Sequence, residues 1–338
     1  MRSLICLLNN VKGLLMNTFE KYCTSPQARV FLDQWNYLNP EEETGCPLCG
    51  SGEKCLWYSL GQSNAYTCMH CRMKYISPRL SQTQISEYYN KSFLDKNTYE
   101  KDVEGNIHDV IGDSEERRKK IRDRHYEIEI TNQFIRKGRV LDIGCSAGLY
   151  FEGLKGQFEL YGIEMSKIDA DYTRKRFNAE IKSCDITEAT YPNEYFNVIN
   201  MTYVIEHLLY PKPVMEKVTT WLKKDGLLLV SSPNWGGMIS KIYKEYFRLN
   251  DPCQHIILWE RNTLEKFIEA HGFRVKKIHF PYFKTEYFNI YEVKRLFRNT
   301  LYQVLLPIFI KLKYFPKPEK VFSPPFLGNT MVVEAYKK

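Results

Sequence analysis

An uninterrupted apolar run long enough to cross a bilayer and a strong excess of one charge are both missing from this sequence. The apolar stretch Leu4 to Leu15 is interrupted by Asn9, Asn10 and Lys12, is followed by no small-residue cleavage site, and is too short to cross a bilayer. The 48 Lys and Arg residues exceed the 40 Asp and Glu residues by only 8. Without a localised basic patch, such a balance does not indicate nucleic-acid binding. We therefore expect a cytoplasmic protein with no nucleic-acid partner.

The ten cysteines include two closely spaced pairs. Cys46 and Cys49 form the first Cys-x-x-Cys pair, and Cys68 and Cys71 form the second after eighteen intervening residues. In a reducing compartment, two such pairs indicate a tetrahedral zinc site with four thiolate ligands rather than disulfides. Four protein ligands close the site, so we expect a structural Zn²⁺ in a zinc ribbon. A redox Cys-x-x-Cys is disfavoured, since there are two pairs and no flanking βαβ unit.

The stretch from Arg139 to Glu164 has the pattern of a β–loop–α–β unit. A short apolar run, Val140 to Ile143, predicts a buried parallel strand, and the small-residue turn Gly144 to Gly148 follows it. A helical pattern over residues 149–154 leads to a second apolar strand that ends at Glu164. An acidic side chain at that position can accept hydrogen bonds from both ribose hydroxyls of a nucleoside laid over the turn.

The dinucleotide fingerprint Gly-x-Gly-x-x-Gly is absent, since Ser146 stands where its second glycine would be. The string Asp142 to Gly148 instead resembles motif I of the class I S-adenosylmethionine (SAM) methyltransferases, usually Asp/Glu-x-Gly-x-Gly-x-Gly, and departs from it at Ser146. A NAD-dependent oxidoreductase is the alternative. The resemblance implies SAM as cofactor, with a binding site that comprises Asp142, Gly144, Ser146, Gly148, Glu164, Asp185 and Met201.

Two further segments carry the same resemblance. Residues 196–211 are similar to the family's fourth-strand segment, Phe-Asp-x-Val followed by Val-x-Glu-His-Leu and a proline, with Asn197 in place of the aspartate. Residues 46–89 resemble the zinc-ribbon lead found before this domain in many bacterial SAM-dependent enzymes. In the family, the position of Asp185 contacts the adenine amino group, although an ordinary turn aspartate is an equal alternative.

The resemblance implies an α/β fold: a doubly wound, mostly parallel, seven-stranded sheet of the Rossmann-like methyltransferase type, whose last strand is antiparallel. The expected organisation is a helical lead-in over 1–40, a zinc ribbon over 41–90, a linker over 91–113 and the methyltransferase domain over 114–338, with a helical insertion at 281–328. Ser114 is the expected N-cap of one charged helix that runs to about Arg136.

Two histidines are the candidate catalytic bases. His207 follows the fourth strand and His255 comes after the fifth, so both are expected near the carboxyl ends of the strands. A histidine is suited to taking a proton from a neutral hydroxyl near pH 7. We therefore expect methyl transfer to oxygen of a small-molecule, sugar, glycan or lipid-linked acceptor. Structural roles for both histidines remain open, as does an RNA or protein methyltransferase, although the Asn/Asp-Pro-Pro-Tyr motif of many base- and amide-methylating enzymes is absent.

The insertion carries most of the net positive charge. Residues 281–320 hold eight Lys and Arg against three Asp and Glu, and the apolar run 291–314 has basic residues at its ends. Such a segment can be a helix that lies on the inner face of a membrane and meets a lipid-linked substrate. The alternative, a lid or a helix of a homodimer interface, is favoured because apolar helices usually pack on protein.

Overall fold

The structure is a computed structural model that describes residues 42–60, 62–85, 115–251, 254–282 and 326–338, together with the single residues 40, 285, 294 and 323. The expected lead-in over 1–40 and linker over 91–113 fall outside these residues almost entirely. The same holds for most of the expected insertion over 281–328, including its apolar run 291–314.

A seven-stranded sheet forms the centre of the fold. Its strands are β4 (Lys137–Ile143), β5 (Gln157–Ile163), β6 (Glu180–Lys182), β7 (Phe196–Thr202), β8 (Leu222–Pro233), β10 (Phe273–His279) and β11 (Thr330–Lys337). They lie in the order β10-β11-β8-β7-β4-β5-β6. The five strands from β8 to β6 are parallel, whereas β11 pairs antiparallel with both β8 and β10. The expected fold class is thereby confirmed.

The chain order reverses at β4, which has β5 on one side and β7 on the other. In an open α/β sheet, the crevice at the carboxyl ends of the strands beside such a reversal is where ligands bind. Helices cover the sheet, so β4 from Val140 onward and all of β7 except Asn197 are buried. The fold therefore places the turn after β4 and the segment after β7 at one edge.

The described α-helices are α1 (Glu115–Asp123), α2 (His125–Phe134), α3 (Lys167–Phe177), α4 (Pro211–Trp221), α5 (Met238–Tyr243) and α6 (Arg261–Ala270). The prediction of a single charged helix from 114 to 136 is wrong. The helix is interrupted at Arg124, where φ is −100° and ψ is 12°, and the Arg124 N–H donates to the Ile121 carbonyl three residues back. In contrast to that break, α3 begins with a side-chain cap, since the Ser166 hydroxyl accepts from the Asp169 N–H.

The helix expected over residues 149–154 is reduced to a single 3₁₀ turn, Phe151–Gly153. The turn ends at Leu154, whose backbone is extended, with φ at −74° and ψ at 127°. Before the turn, Ser146 and Gly148 both have positive φ values, 44° and 74°.

The cysteine-rich region forms a second sheet. Strands β1 (Lys54–Leu60), β2 (Ser63–Cys68) and β3 (Lys74–Ser77) are antiparallel, and the two-residue strand β9 (Ile257–Leu258) pairs antiparallel with β3. Buried residues of this region, including Cys68 and Met73, belong to the same apolar cluster as the large sheet. The ribbon is therefore joined to the main fold by a strand pairing and by a continuous core.

Candidate functional site

The turn after β4 requires glycine at its first position. Gly144 has a φ of 70°, and a Cβ added there would lie 2.5 Å from Cγ2 of Val204, which follows β7. The Gly144 and Cys145 N–H groups both donate to the Ile163 carbonyl, at 2.8 and 3.2 Å. The turn is thus held against the end of β5, with its backbone close to the segment that follows β7.

Glu164 is fixed by the backbone around it. Its carboxylate accepts hydrogen bonds from the Ser146 N–H at 2.8 Å and from the Ser166 N–H at 2.7 Å. Burial raises the pKa of Glu164 to about 7, and the two backbone donors oppose that rise. One acidic side chain thereby connects the turn after β4 to the start of α3, in an orientation set by two main-chain bonds.

A cavity of about 330 Å³ opens at this edge of the sheet, and we call it the first cavity. Gly144, Ser146, Glu164, Asp185 and His207 are among the residues that line it. The carboxylate of Asp185 also accepts the N–H and the hydroxyl of Thr187 at 2.7 and 2.6 Å, both on Oδ1. Asp185 is therefore a turn aspartate that also forms part of the cavity wall, and its contact with adenine stays a prediction.

Three residues expected to bind the cofactor do not line the first cavity. Asp142 is buried beneath the turn, where its carboxylate accepts the Asn200 side-chain N–H at 2.7 Å and links β4 to β7. Met201 is buried in the apolar core. A Cβ at Gly148 would lie 2.3 Å from the Phe177 ring, so this glycine allows α3 to pack close to the turn. These three residues therefore pack behind the residues that line the cavity.

The two candidate bases lie against each other. The rings of His207 and His255 have centroids 4.9 Å apart, although 47 residues separate them in the chain. The Ile256 and Ile257 N–H groups both donate to the Glu206 carbonyl, at 2.9 and 3.1 Å, and bring the two segments together. The sequence placed each histidine at the correct edge but contained no signal that the rings would touch.

Each histidine faces a different cavity. His207 lines the first cavity, and His255 lines a second cavity of about 260 Å³. Burial lowers the pKa of both imidazoles, that of His207 well below its usual range. Both rings are therefore neutral at pH 7 and can accept a proton or donate a lone pair to a ligand.

Sequence reasoning missed two residues that line both cavities. Arg124 sits at the break between α1 and α2, and Tyr203 follows β7 with a φ of 57°. Because neither the helix break nor the positive φ of a tyrosine leaves a pattern in the sequence, no signal pointed to them. Gln82 and Ile85, from the segment after β3, also line the first cavity, so the ribbon side of the chain contributes to its wall.

The four cysteines of the predicted metal site lie together. The Sγ atoms of Cys46, Cys49, Cys68 and Cys71 are all within 4.8 Å of one another, and two of the pairs are 3.4 and 3.5 Å apart. Four thiolates around one Zn²⁺ have S···S separations of about 3.8 Å, from a Zn–S bond of about 2.3 Å. The donor set and its spacing therefore fit zinc.

The turns that carry the cysteines have matching geometry. A residue with positive φ follows the second cysteine of each pair: Gly50 at 75°, and Arg72 at 66°. The Gly50 N–H donates to the Cys46 carbonyl and the Arg72 N–H to the Cys68 carbonyl. A glycine is suited to a positive φ, whereas an arginine adopts it rarely.

The sheet order and the acidic residue across from a glycine turn are typical of nucleoside-binding α/β proteins. Comparison with known proteins identifies the family within this class. Residues 114–278 match the family described as methyltransferase domain. This part of the chain is therefore a methyltransferase domain, and the resemblance to SAM-dependent methyltransferases is confirmed for it.

Two curated relatives are both named ubiquinone biosynthesis O-methyltransferase. The protein of Actinobacillus pleuropneumoniae serotype 7 (strain AP76) is 28% identical over 107 residues, which cover 28% of this chain and 46% of the relative. That of Bradyrhizobium diazoefficiens is 31% identical over 104 residues, which cover 28% of this chain and 40% of the relative. The chain thus spans less than half the length of the curated relatives it matches.

Among solved structures, a SAM-dependent methyltransferase from Archaeoglobus fulgidus is 20% identical, with a TM-score of 0.41 over 65% of this chain and 94% of its own.

Proposed function

We propose that this protein transfers a methyl group from SAM to an oxygen of a small-molecule, sugar, glycan or lipid-linked acceptor. The observation that carries the proposal is the position of Glu164, which lines the first cavity while its carboxylate is held by two backbone N–H groups. A carboxylate fixed in this way can receive the two ribose hydroxyls of a nucleoside without losing side-chain freedom on binding. When bound, SAM supplies a methyl group that its sulfonium has already activated.

The chain's own residues align the acceptor and receive its proton. The paired rings of His207 and His255 lie where the first and second cavities approach each other, with Arg124 and Tyr203 in both walls. Because both imidazoles are neutral at pH 7, either can take the proton of an acceptor hydroxyl. Alignment and exclusion of water supply the rest of the rate enhancement. The O-methyltransferase names of the two relatives support oxygen as the acceptor atom.

A structural Zn²⁺ on Cys46, Cys49, Cys68 and Cys71 is part of this proposal. The cluster is connected to the proposed active site, since β3 follows it directly and pairs with β9, which begins two residues after His255. Lys74 of β3 strengthens the connection through an ion pair with Glu260, at 2.5 Å. The metal would replace the apolar core that so small a region cannot build.

The partners remain expectations from sequence. We propose a small-molecule or glycan substrate and either a homodimer or a peripheral membrane contact through residues 291–314, at the cytoplasmic face. The described residues include no helix that is both long and apolar enough to span a bilayer.

Calorimetry with SAM, S-adenosylhomocysteine and NAD tests the cofactor. We expect the two adenosyl ligands to bind and NAD not to bind. Glu164→Gln should weaken SAM by about 10- to 100-fold, as loss of a hydrogen bond to a charged group costs about 1.5–3 kcal/mol. Glu159→Gln is the matched control, since Glu159 lies on the same strand and pairs with Arg139 at the surface. Binding of NAD in place of SAM would overturn the proposal.

The methyl acceptor can be identified by an experiment that does not assume its chemical class. A metabolite and glycan extract is incubated with the protein and SAM carrying a labelled methyl group, and untargeted mass spectrometry finds the labelled products. We expect an O-methylated product that the His207→Ala and His255→Ala double variant does not form. An unchanged yield from that variant would exclude a role for either histidine.

A further inference from the structure

The wall of the second cavity has an excess of positive charge. Lys120, Arg124 and Arg248 line this cavity, and Asp123 is the one carboxylate among the described residues of its wall. Burial lowers the pKa of His255, so its imidazole adds no charge at pH 7. Three cations and one carboxylate leave an excess of two positive charges. A concave wall with an excess of one sign concentrates ligands of the opposite sign.

The segment that carries Arg248 is held by contacts from other parts of the chain. The Arg248 N–H donates to the Ser323 hydroxyl at 3.1 Å. Two residues further on, the side-chain oxygen of Asn250 accepts the hydroxyl of Tyr58 from β1 at 3.1 Å, in a buried contact. The cation therefore extends from a backbone that is already fixed, so less conformational entropy is lost when a ligand binds.

Lys120 and Arg124 lie at the same end of α1. The Arg124 guanidinium donates from Nη1 to the Lys120 carbonyl at 3.1 Å. Arg124 lines both cavities, whereas Lys120 and Arg248 line only the second. Arg124 is therefore available to an anionic group in either cavity, including the carboxylate of SAM. Lys120 and Arg248 are the two cations that belong to the second cavity alone.

The cations of this cavity are connected to the candidate bases. The Nδ1 of His255 donates to the carbonyl of Leu249, the neighbour of Arg248, at 2.6 Å. The ring of His255 in turn lies against that of His207, which lines the first cavity. A hydroxyl placed at the paired imidazoles leaves the rest of its molecule in the second cavity, where the cations are.

We propose that the second cavity holds a phosphate or diphosphate group of the methyl acceptor, bound by Lys120 and Arg248, while the acceptor hydroxyl lies at the paired histidines. That the bound molecule is the acceptor rests on the proposed function. A phosphate monoester carries a charge of about −1.5 to −2 at pH 7, which balances the excess of two, whereas a single carboxylate does not. The arginine fork donates two parallel hydrogen bonds to a phosphate, and lysine acts as a point charge.

The most basic part of the sequence begins and ends at this cavity. Pro281 and Tyr282 line it where the insertion leaves the sheet, and Phe326 lines it where the chain returns. The Tyr282 and Phe326 rings lie 5.5 Å apart, centroid to centroid. Residues 281–320 hold eight Lys and Arg against three Asp and Glu. The segment with most of the net positive charge is thus connected to this wall at both ends, which favours an anionic ligand there.

The first test is calorimetric titration with pyrophosphate at low ionic strength. The full-length, zinc-loaded protein is first saturated with S-adenosylhomocysteine, so that the first cavity is filled. We expect one equivalent of pyrophosphate to bind. Lys120→Gln and Arg248→Gln should each weaken it by about tenfold or more, because a hydrogen bond to a charged group is lost. No binding by the unchanged protein, or equal binding by all variants, would overturn the proposal.

Lys119→Gln and Arg261→Gln are the matched controls. Each removes one positive charge, and neither residue lines a cavity: Lys119 precedes Lys120 on α1, and Arg261 is exposed at the start of α6. Both should bind pyrophosphate like the unchanged protein. A loss as large as that of Lys120→Gln would show an effect of net charge only and would overturn the proposal.

A charge-retaining variant separates loss of charge from loss of fold. The melting temperature of each variant shows whether it folds. Lys120→Arg should regain the affinity that Lys120→Gln loses, since it keeps the positive charge at the same position. A folded Lys120→Arg that binds no better than Lys120→Gln would overturn the proposal.

Malonate, a dicarboxylate, distinguishes the two kinds of anion. We expect it to bind more weakly than pyrophosphate to the same protein. Tighter binding of malonate would overturn the assignment to phosphate.

The second test concerns the acceptor itself. The extract used to find labelled products is treated beforehand with a phosphatase and a diphosphate-cleaving hydrolase, which are then removed. We expect the labelled product of the untreated extract to carry phosphate and to disappear after this treatment. An unchanged yield of a labelled product without phosphate would overturn the proposal.

The outcomes separate this inference from the proposed function. Pyrophosphate binding is also measured without an adenosyl ligand, and SAM binding is measured on the same variants. If labelled products form but pyrophosphate does not bind, only this inference fails. If pyrophosphate binds through Lys120 and Arg248 but SAM does not bind, the phosphate site stands and the proposed methyl transfer fails.

Discussion

Substitution of Gly144 by alanine tests the geometry of the turn after β4. Two separate costs are expected. The first is the left-handed conformation, with φ at 70°, which costs a non-glycine residue about 1–2 kcal/mol. The second is the new Cβ, which would lie 2.5 Å from Val204 Cγ2, so that either the turn or Val204 must move. Both line the first cavity, and a shift of either should weaken SAM.

Gly272→Ala separates the two costs. Gly272 also has a positive φ, 87°, but its added Cβ would meet only Thr219 Cγ2, at an ordinary 3.8 Å. We expect Gly272→Ala to lower the free energy of unfolding by about 1–2 kcal/mol and to leave SAM binding unchanged. Gly144→Ala should lower the free energy of unfolding by about 2–5 kcal/mol, since overpacking adds about 1–3 kcal/mol to the same conformational cost, and should weaken SAM at least tenfold.

The Gly144→Ala and Val204→Ala double variant completes the experiment. Removal of the Val204 methyl groups opens the space that the new Cβ needs, so part of the lost stability and SAM affinity should return. Urea unfolding gives the stabilities, and calorimetry gives the affinities. If Gly144→Ala costs no more than Gly272→Ala, or if the second substitution restores nothing, the described approach of Val204 to the turn is wrong.

The remaining predictions concern Asp142 and the cysteine cluster. Burial raises the pKa of Asp142 from 3.8 to about 7, so the folded state binds more protons than the unfolded state and stability should fall as pH rises from about 4 to about 7. Asp142→Asn, which still accepts the Asn200 N–H, should flatten this fall in urea unfolding at a series of pH values; an equal slope in both proteins would contradict it. Cys68→Ser should release zinc, lower the melting temperature, and slow methyl transfer by loosening the β3–β9 pairing near His255. Cys55→Ser, at an exposed free cysteine on β1, should do none of these; equal effects from both would refute a zinc role for Cys68.

The sequence was most informative where local chemistry decides the structure. Gly144 and Glu164 could be predicted because a parallel strand, a glycine turn and an acidic strand end form one local unit whose geometry the chain cannot vary widely. The four cysteines could be predicted for a similar reason, since each pair lies within one tight turn. Both sites follow from residues that are close in sequence.

Contacts between distant segments could not be predicted in this way. Nothing in the sequence near His255 indicates that the Ile256 and Ile257 N–H groups bond to the Glu206 carbonyl, a contact that helps to bring the two histidines together. Likewise Asp142 and Met201 matched the positions expected for cofactor binding, yet they lie in the wall behind the cavity. A sequence motif identifies the candidate residues. The packing of the neighbouring strands decides whether the side chain of each one faces the cavity or the core.

The central claim is that the turn after β4 and Glu164 hold an adenosyl ligand. A crystal structure of the protein with S-adenosylhomocysteine tests it most directly. The account predicts the nucleoside in the first cavity, its ribose hydroxyls on the Glu164 carboxylate and its adenine beside Asp185. A ligand bound elsewhere, or a ribose without contact to Glu164, would contradict it.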